Sequence, residues 1–161
     1  MGILSIILIS IIIIVALIFL NLFRLPYIQI SFLGASFSLT HWIGWIGTLF
    51  IAFFTPIQPM VKRKFAKHIK IVLTMHMAGN LIAVLLVSVH FAHQITRPIA
   101  FYPDLGTGVI LYVTMILLVS TGFVMYSGIA KKFYKQLLFF HPAFSLTFYI
   151  VIIMHIFTNA F

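Results

Sequence analysis

Long apolar runs, separated by short segments rich in polar and turn-forming residues, are the dominant pattern of this chain. We delimit the runs at 3–23, 41–60, 69–93, 107–128 and 138–160. Each approaches the ~20 residues that an α-helix, rising about 1.5 Å per residue, needs to cross a hydrocarbon core about 30 Å thick. The pattern predicts an all-α integral membrane protein, a bundle of five transmembrane helices that forms a single domain over residues 1–161.

The segments between the runs are predicted to be loops. Residues 24–40 contain Pro26 and Gly34 and end at Thr40, which is a candidate N-cap of the second helix. Residues 94–106 carry Pro103 and the acidic Asp104, which together form a loop signature. We expect no internal repeat and no second domain.

Composition strengthens the membrane assignment. Hydrophobic residues make up 63% of the chain and charged residues only 7%, whereas soluble domains carry about 25% charged residues. Lipid is therefore the expected solvent. The chain has no cysteine, which excludes Fe–S clusters, thiolate zinc sites and covalent c-type haem attachment.

The net charge of +9 is typical of the charge bias of membrane proteins rather than of nucleic-acid binding, because the basic residues form short clusters between apolar runs. Only Arg24 and Arg97 fall on the side opposite these clusters. The positive-inside rule predicts a multi-pass cell-membrane protein with a cytoplasmic N-terminus and an outer C-terminus. The cytoplasmic clusters are Lys62, Arg63, Lys64, Lys67 and Lys70 after the second run, and Lys131, Lys132 and Lys135 after the fourth.

Four histidines form two matched pairs. The third run carries His76 and His90, and the fifth carries His141 and His155, so both separations are 14 residues. Fourteen residues turn an α-helix by about 1400° and advance it by about 21 Å, which leaves each pair on one face and spans most of the bilayer. Because His76 and His141 both lie six residues after a lysine, at Lys70 and Lys135, we expect them at one depth, with His90 and His155 at another.

Two histidines that face two histidines at two depths match the needs of two haems. Each b-type haem would take one axial imidazole from each helix: His76 and His141 for the inner iron, and His90 and His155 for the outer iron. A bis-imidazole iron has no open position, which favours electron transfer over oxygen binding. Gly79 would let a flat macrocycle approach the backbone, and Phe148, midway between His141 and His155, would act as an aromatic spacer or as ordinary core.

The stretches HMAGNLIAVLLVSVH at 76–90 and HPAFSLTFYIVIIMH at 141–155 resemble the ferric reductase-like transmembrane domain, the haem-binding core of ferric reductases, NADPH oxidases and the methionine sulfoxide reductase haem subunit. YKQLLFFHP at 134–142 is similar to the approach to the fifth helix in that family. The resemblance covers about 41–161 and implies that the third and fifth helices supply the haem ligands, with an aromatic residue between them at Phe148. The di-haem cytochrome b of quinol-oxidising complexes shares the same spacing.

The chain departs from that family because it contains no Gly-rich dinucleotide motif, no flavin or nicotinamide domain and no sixth helix. We therefore expect it to be the electron-transfer subunit of a hetero-oligomeric oxidoreductase complex. Its electrons would come from a quinol or from a flavoprotein, iron–sulfur or cytochrome partner. Secondary candidates are His93 and Arg97 beside the outer haem, and His41 in a quinone pocket.

Two other functions compete with electron transfer. The histidines could serve an intramembrane metal-ion transporter, although such transporters usually add membrane-embedded carboxylates. The chain could also be a haem-free membrane anchor of a larger complex.

Overall fold

The structure is a computed structural model that describes residues 2–20, 22, 28–32, 35–64, 66–96 and 105–160. It is a bundle of α-helices with one small β-hairpin. The elements are α1 (Gly2–Phe19), β1 (Gln29–Phe32), β2 (Ala35–Ser38), α2 (Leu39–Lys64), α3 (Ile69–Ile95), α4 (Leu105–Ser127) and α5 (Tyr134–Ala160). The predicted Arg24, Arg97 and Asp104 lie outside the described residues.

Four helices, α2 to α5, are long and apolar enough to cross a membrane. In α1 the apolar part found among the described residues, Ser5–Phe19, is shorter than a full span. Large apolar side chains such as Ile6, Leu20 and Leu146 cover the outside of the bundle. Soluble proteins rarely expose apolar surface this continuous, so the exterior agrees with the membrane character that the sequence predicts.

The segment before α2 is a β-hairpin rather than the plain loop we predicted. β1 and β2 pair antiparallel, with Ile30 opposite Phe37, and the Trp42 indole N–H donates to the Ile30 carbonyl over 3.1 Å. The predicted N-cap at Thr40 is wrong, because α2 already begins at Leu39. Thr40 is buried within the first turn, and its hydroxyl bonds to other side chains instead.

Hydrogen bonds between α3 and α4 show that these helices are antiparallel. Thr74 near the start of α3 meets the Tyr126 hydroxyl near the end of α4 over 2.8 Å. Ser88 further along α3 meets the Tyr112 hydroxyl, also over 2.8 Å. Because each hydroxyl on α3 already donates to a carbonyl of its own helix, the two tyrosines must be the donors.

The two ends of the bundle differ in charge. We call the end at which α2 and α4 finish and α3 and α5 begin the basic end, since exposed Arg63, Lys64, Lys67, Lys132 and Lys135 gather there. The opposite end carries the hairpin, and we call it the hairpin end. A turn at Gly128, whose φ of +68° favours glycine, leads from α4 into the 3-10 turn before α5.

Helix α3 is the centre of the bundle and packs against α2, α4 and α1, whereas α5 packs mainly on α4. At Gly47 of α2 a side chain would come within 2.8 Å of the Ala83 carbonyl oxygen, so glycine permits the close approach of α2 and α3. The apolar core joins side chains of these helices at mid-depth. Its members include Ile51, Met77, Leu81, Val84, Met115, Leu118, Phe148 and Ile152.

Candidate functional site

The structure brings the histidines together in the pairs that the spacing predicts. His76 of α3 and His141 of α5 lie close enough to interact electrostatically near the basic end, and we call them the basic-end pair. His90 and His155 do the same near the hairpin end and form the hairpin-end pair. All four side chains are partly buried. Their role as haem ligands stays a prediction.

In the basic-end pair, the ring of His141 lies against α4. A Cβ atom at Gly122 would come within 3.0 Å of His141 Cε1, so only glycine leaves the ring this much room. The Nδ1 atom lies 3.1 Å from Thr121 Oγ1 and 3.1 Å from the Leu118 carbonyl oxygen. His141 is therefore held from α4 on one edge of its ring.

In the hairpin-end pair, the same arrangement recurs one level further along. His155 Nδ1 lies 3.1 Å from Thr107 Oγ1, and a Cβ at Gly108 would approach His155 Cε1 to 3.4 Å. His90 faces α2 instead, where a Cβ at Gly44 would come within 2.7 Å of His90 Cγ. Three of the four rings thus rest on a glycine of a neighbouring helix.

The histidines of α3 are less well satisfied than those of α5. The Nδ1 atoms of His76 and His90 are buried and have no hydrogen-bond partner in the described part of the chain. The Asn80 amide donates to His76 Nε2 over 3.1 Å, a contact that a metal at this nitrogen would replace. Buried polar atoms normally have a partner, so these orphaned nitrogens are compatible with a group that is bound between the helices.

The spacing of the helices fits the same group. Among the described residues, α3 and α5 share no extended packing surface, although their histidines face one another. Two opposed imidazoles at each of two depths form the donor set of a bis-histidine haem. The residues therefore fit two b-type haems.

Mid-depth between the pairs, α5 is anchored by packing. Phe148 is almost fully buried, at 1% exposure, within the apolar core. The neighbouring Tyr149 hydroxyl donates to the Ala52 carbonyl of α2 over 2.7 Å. Phe148 is thus a core residue at the depth predicted for a spacer, and the two roles are compatible. Gly79 faces α2, where the ring of Phe50 lies against it.

A continuous chain of hydrogen bonds lies at the hairpin end beside His90. It runs from Gln94 Nε2 to His41 Nε2 (3.2 Å), from His41 Nδ1 to Ser38 Oγ (2.6 Å), on to Thr40 Oγ1 (2.9 Å), and ends at His93 Nδ1 (3.0 Å). We call these five residues the polar chain. The ring of His41 also meets the ring of His90 edge-on, with centroids 4.7 Å apart. His41 and His93 thus join a network beside the hairpin-end pair.

Sequence reasoning missed a 14-residue repeat in α4. TGVILY at 107–112 and TGFVMY at 121–126 share threonine, glycine and tyrosine at equal positions. In both copies the threonine and glycine contact a histidine of α5, and the tyrosine donates to α3. The expectation of no internal repeat was therefore wrong at this scale. The repeat itself was the available signal, because its period equals the histidine spacing.

Among the described residues, no group of three or more His, Cys, Asp or Glu side chains is arranged to hold a metal ion. A haem iron needs only two protein ligands, so this finding bears on bare metal sites alone. No protein-family model, curated protein or solved structure matches the chain. The ferric reductase-like resemblance therefore stays a prediction.

Proposed function

We propose that the chain is a di-haem b-type cytochrome subunit that carries electrons across a cell membrane. The observation that carries this proposal is the duplicated pair: two histidines of α3 oppose two histidines of α5 at two depths. The repeat in α4 has the same 14-residue period and contacts both pairs, which supports two equivalent sites.

His76 and His141 would hold one haem, and His90 and His155 the other. When bound, a bis-imidazole haem supplies one-electron oxidation and reduction with no open position for a substrate. The protein contributes two opposed ligands at each depth and an apolar core that keeps water from the space between the pairs. About 21 Å of helix separates the two levels, so together they would bridge most of the hydrocarbon core.

Orientation is part of the proposal. We propose that α1 is a fifth membrane helix, since its 18 residues extend about 27 Å. The basic end would face the cytoplasm, because both lysine-rich turns lie there. The N-terminus would then be cytoplasmic and the C-terminus outside.

Electrons would be exchanged with other molecules at the two ends. An acidic region of a redox partner, such as a flavoprotein, iron–sulfur or cytochrome subunit, would dock at the basic end, guided by charge. At the hairpin end, the polar chain offers hydrogen-bond donors and acceptors for a quinol beside His90. We favour a hetero-oligomeric complex in which the partner protein delivers the electrons.

Haem content tests the proposal directly. The pyridine haemochrome of purified protein, measured against protein mass, should give two b-type haems per chain. A colourless protein would contradict the proposal and favour a haem-free anchor or a metal-ion transporter, which metal analysis would separate. A ratio near one would contradict the two-site arrangement.

A further inference from the structure

Helix α4 carries the same dipeptide at two positions that are 14 residues apart, Thr107-Gly108 and Thr121-Gly122. At each position the threonine hydroxyl bonds to a histidine Nδ1 of α5 over 3.1 Å, and the glycine lies under the edge of the same ring. A hydroxyl that holds an imidazole can fix which ring nitrogen carries the proton, so the direction of these hydrogen bonds matters.

At the basic end the direction follows from the acceptors. The Thr121 hydroxyl has a single proton, which it donates to the Leu117 carbonyl at 2.8 Å or to the Leu118 carbonyl at 2.9 Å. Towards His141 it can then only accept, and the Leu118 carbonyl oxygen, which also contacts this Nδ1, is an acceptor as well. His141 Nδ1 must therefore be the protonated nitrogen, which leaves the lone pair on Nε2.

At the hairpin end the hydroxyls form a relay with the same direction. The Thr158 hydroxyl donates to the Met154 carbonyl over 3.0 Å, so it accepts the proton of Thr107 across a longer contact of 3.4 Å. The Thr107 oxygen in turn accepts from His155 Nδ1. His155 thus adopts the same tautomer as His141.

We propose that α4 is the positioning helix for the histidines of α5, with Thr107-Gly108 and Thr121-Gly122 orienting His155 and His141 so that Nε2 is the ligand atom. The assignment rests on the proposed function. The glycines admit the rings, and the threonines fix their tautomer. The α3 histidines have no equivalent, since their Nδ1 atoms lack partners among the described residues. Each pair therefore combines one pre-oriented imidazole with one that adjusts.

A hydrogen bond from the distal nitrogen makes an imidazole a stronger electron donor to its metal, and loss of such a partner typically costs about 10–100-fold in metal affinity or activity. A more basic ligand stabilises the oxidised iron. Removing the hydroxyl should therefore raise the reduction potential of the haem on that side and leave the other unchanged. The readout is thus a spectroscopic potential rather than enzyme activity.

The experiment compares three Thr→Val variants on one helix. Thr121→Val should raise the potential of the haem at the basic end, and Thr107→Val that of the haem at the hairpin end. A tenfold change in relative affinity for the two oxidation states equals about 59 mV for a one-electron couple. Thr114→Val is the matched control, because Thr114 lies midway between them and its hydroxyl donates to its own helix at Ile110 over 2.8 Å. It should shift neither potential.

Serine variants keep the test decisive if a valine variant loses haem altogether. Thr121→Ser and Thr107→Ser retain the hydroxyl and should restore haem content and potential. Failure of both serine variants to do so would overturn the assignment. If the wild-type protein holds two haems but Thr121→Val and Thr107→Val match Thr114→Val, the positioning role is overturned while the proposed function stands. A wild-type protein without haem overturns both.

Discussion

The basic-end and hairpin-end pairs are built from the same parts but lie in different surroundings. At the basic end, His141 is held by Thr121 and the Leu118 carbonyl, and His76 contacts Asn80. Outside these contacts the environment is largely apolar. At the hairpin end, the ring of His90 meets His41 and, through it, the polar chain.

This difference separates what a two-histidine site needs from what surrounds only one copy. The shared parts are an imidazole from α3, an imidazole from α5 and a Thr-Gly dipeptide of α4, so these define the proposed haem site. The polar chain is absent from the described surroundings of the basic-end pair. It therefore belongs to exchange with another molecule at the hairpin end rather than to haem binding itself.

The largest expected effects come from removing a ligand at one end. His76→Ala or His141→Ala should leave one haem per chain, held at the hairpin end, and His155→Ala or His90→Ala should leave only the haem at the basic end. An isolated imidazole cannot complete a bis-histidine site, so each loss should be nearly complete. Haem content and redox titration of the remaining haem measure the outcome.

His68→Ala is the control for these variants, because His68 is exposed in the turn at the basic end. It should retain both haems. If His93→Ala loses the haem at the hairpin end while His90→Ala keeps it, the ligand at that level is His93 and the pairing is wrong.

Smaller, graded effects are expected from adding a methyl group under each ring. Gly44→Ala should be the most disruptive, since its Cβ would come within 2.7 Å of His90 Cγ and the ring must move. Overpacking of this kind typically costs about 1–3 kcal/mol. Gly122→Ala, at 3.0 Å from His141 Cε1, should weaken the haem at the basic end less, and Gly108→Ala, at 3.4 Å from His155 Cε1, least.

Haem dissociation rates, measured by transfer to excess apomyoglobin, would rank the three variants and show which end each one affects. Gly47→Ala is a useful contrast, because its Cβ would meet the Ala83 carbonyl rather than a histidine. It should lower the stability of the whole bundle without favouring either haem. Equal loss of both haems in Gly44→Ala would contradict the separation of the two ends.

Much of this arrangement could be predicted from the sequence, because its strongest signals are periodic. Hydropathy located the five helices that the structure describes, although α5 begins at Tyr134, four residues earlier than the predicted start. The histidine pairs followed from a spacing that keeps two residues on one helix face. Such signals lie within a single helix and do not depend on how helices pack.

The missed features depend on contacts between elements. The hairpin has strands of only four residues each, and its pairing is set by contacts that hydropathy does not report. The hydroxyl contacts of Thr107 and Thr121 require knowledge of which face of α4 meets α5. Their repeat was nonetheless visible in the sequence, and attention to ionisable side chains alone concealed it.

The smallest expected effect concerns the polar chain. Ser38 links His41 to Thr40 and is buried, so Ser38→Ala would divide the chain without touching either histidine pair. We expect both haems to remain and their potentials to change little. If a quinol exchanges electrons at the hairpin end, the rate at which it reduces the protein in liposomes should fall by about tenfold, equivalent to ~1.4 kcal/mol of lost stabilisation. Thr74→Val, which breaks the Thr74–Tyr126 contact at the basic end, is the matched control and should leave this rate unchanged. If the wild-type protein stays oxidised under excess quinol but is reduced by a flavoprotein or iron–sulfur partner, the polar chain has no part in electron delivery. The basic end is then the side at which electrons arrive, and the rate of reduction should fall steeply with salt because charge guides the docking.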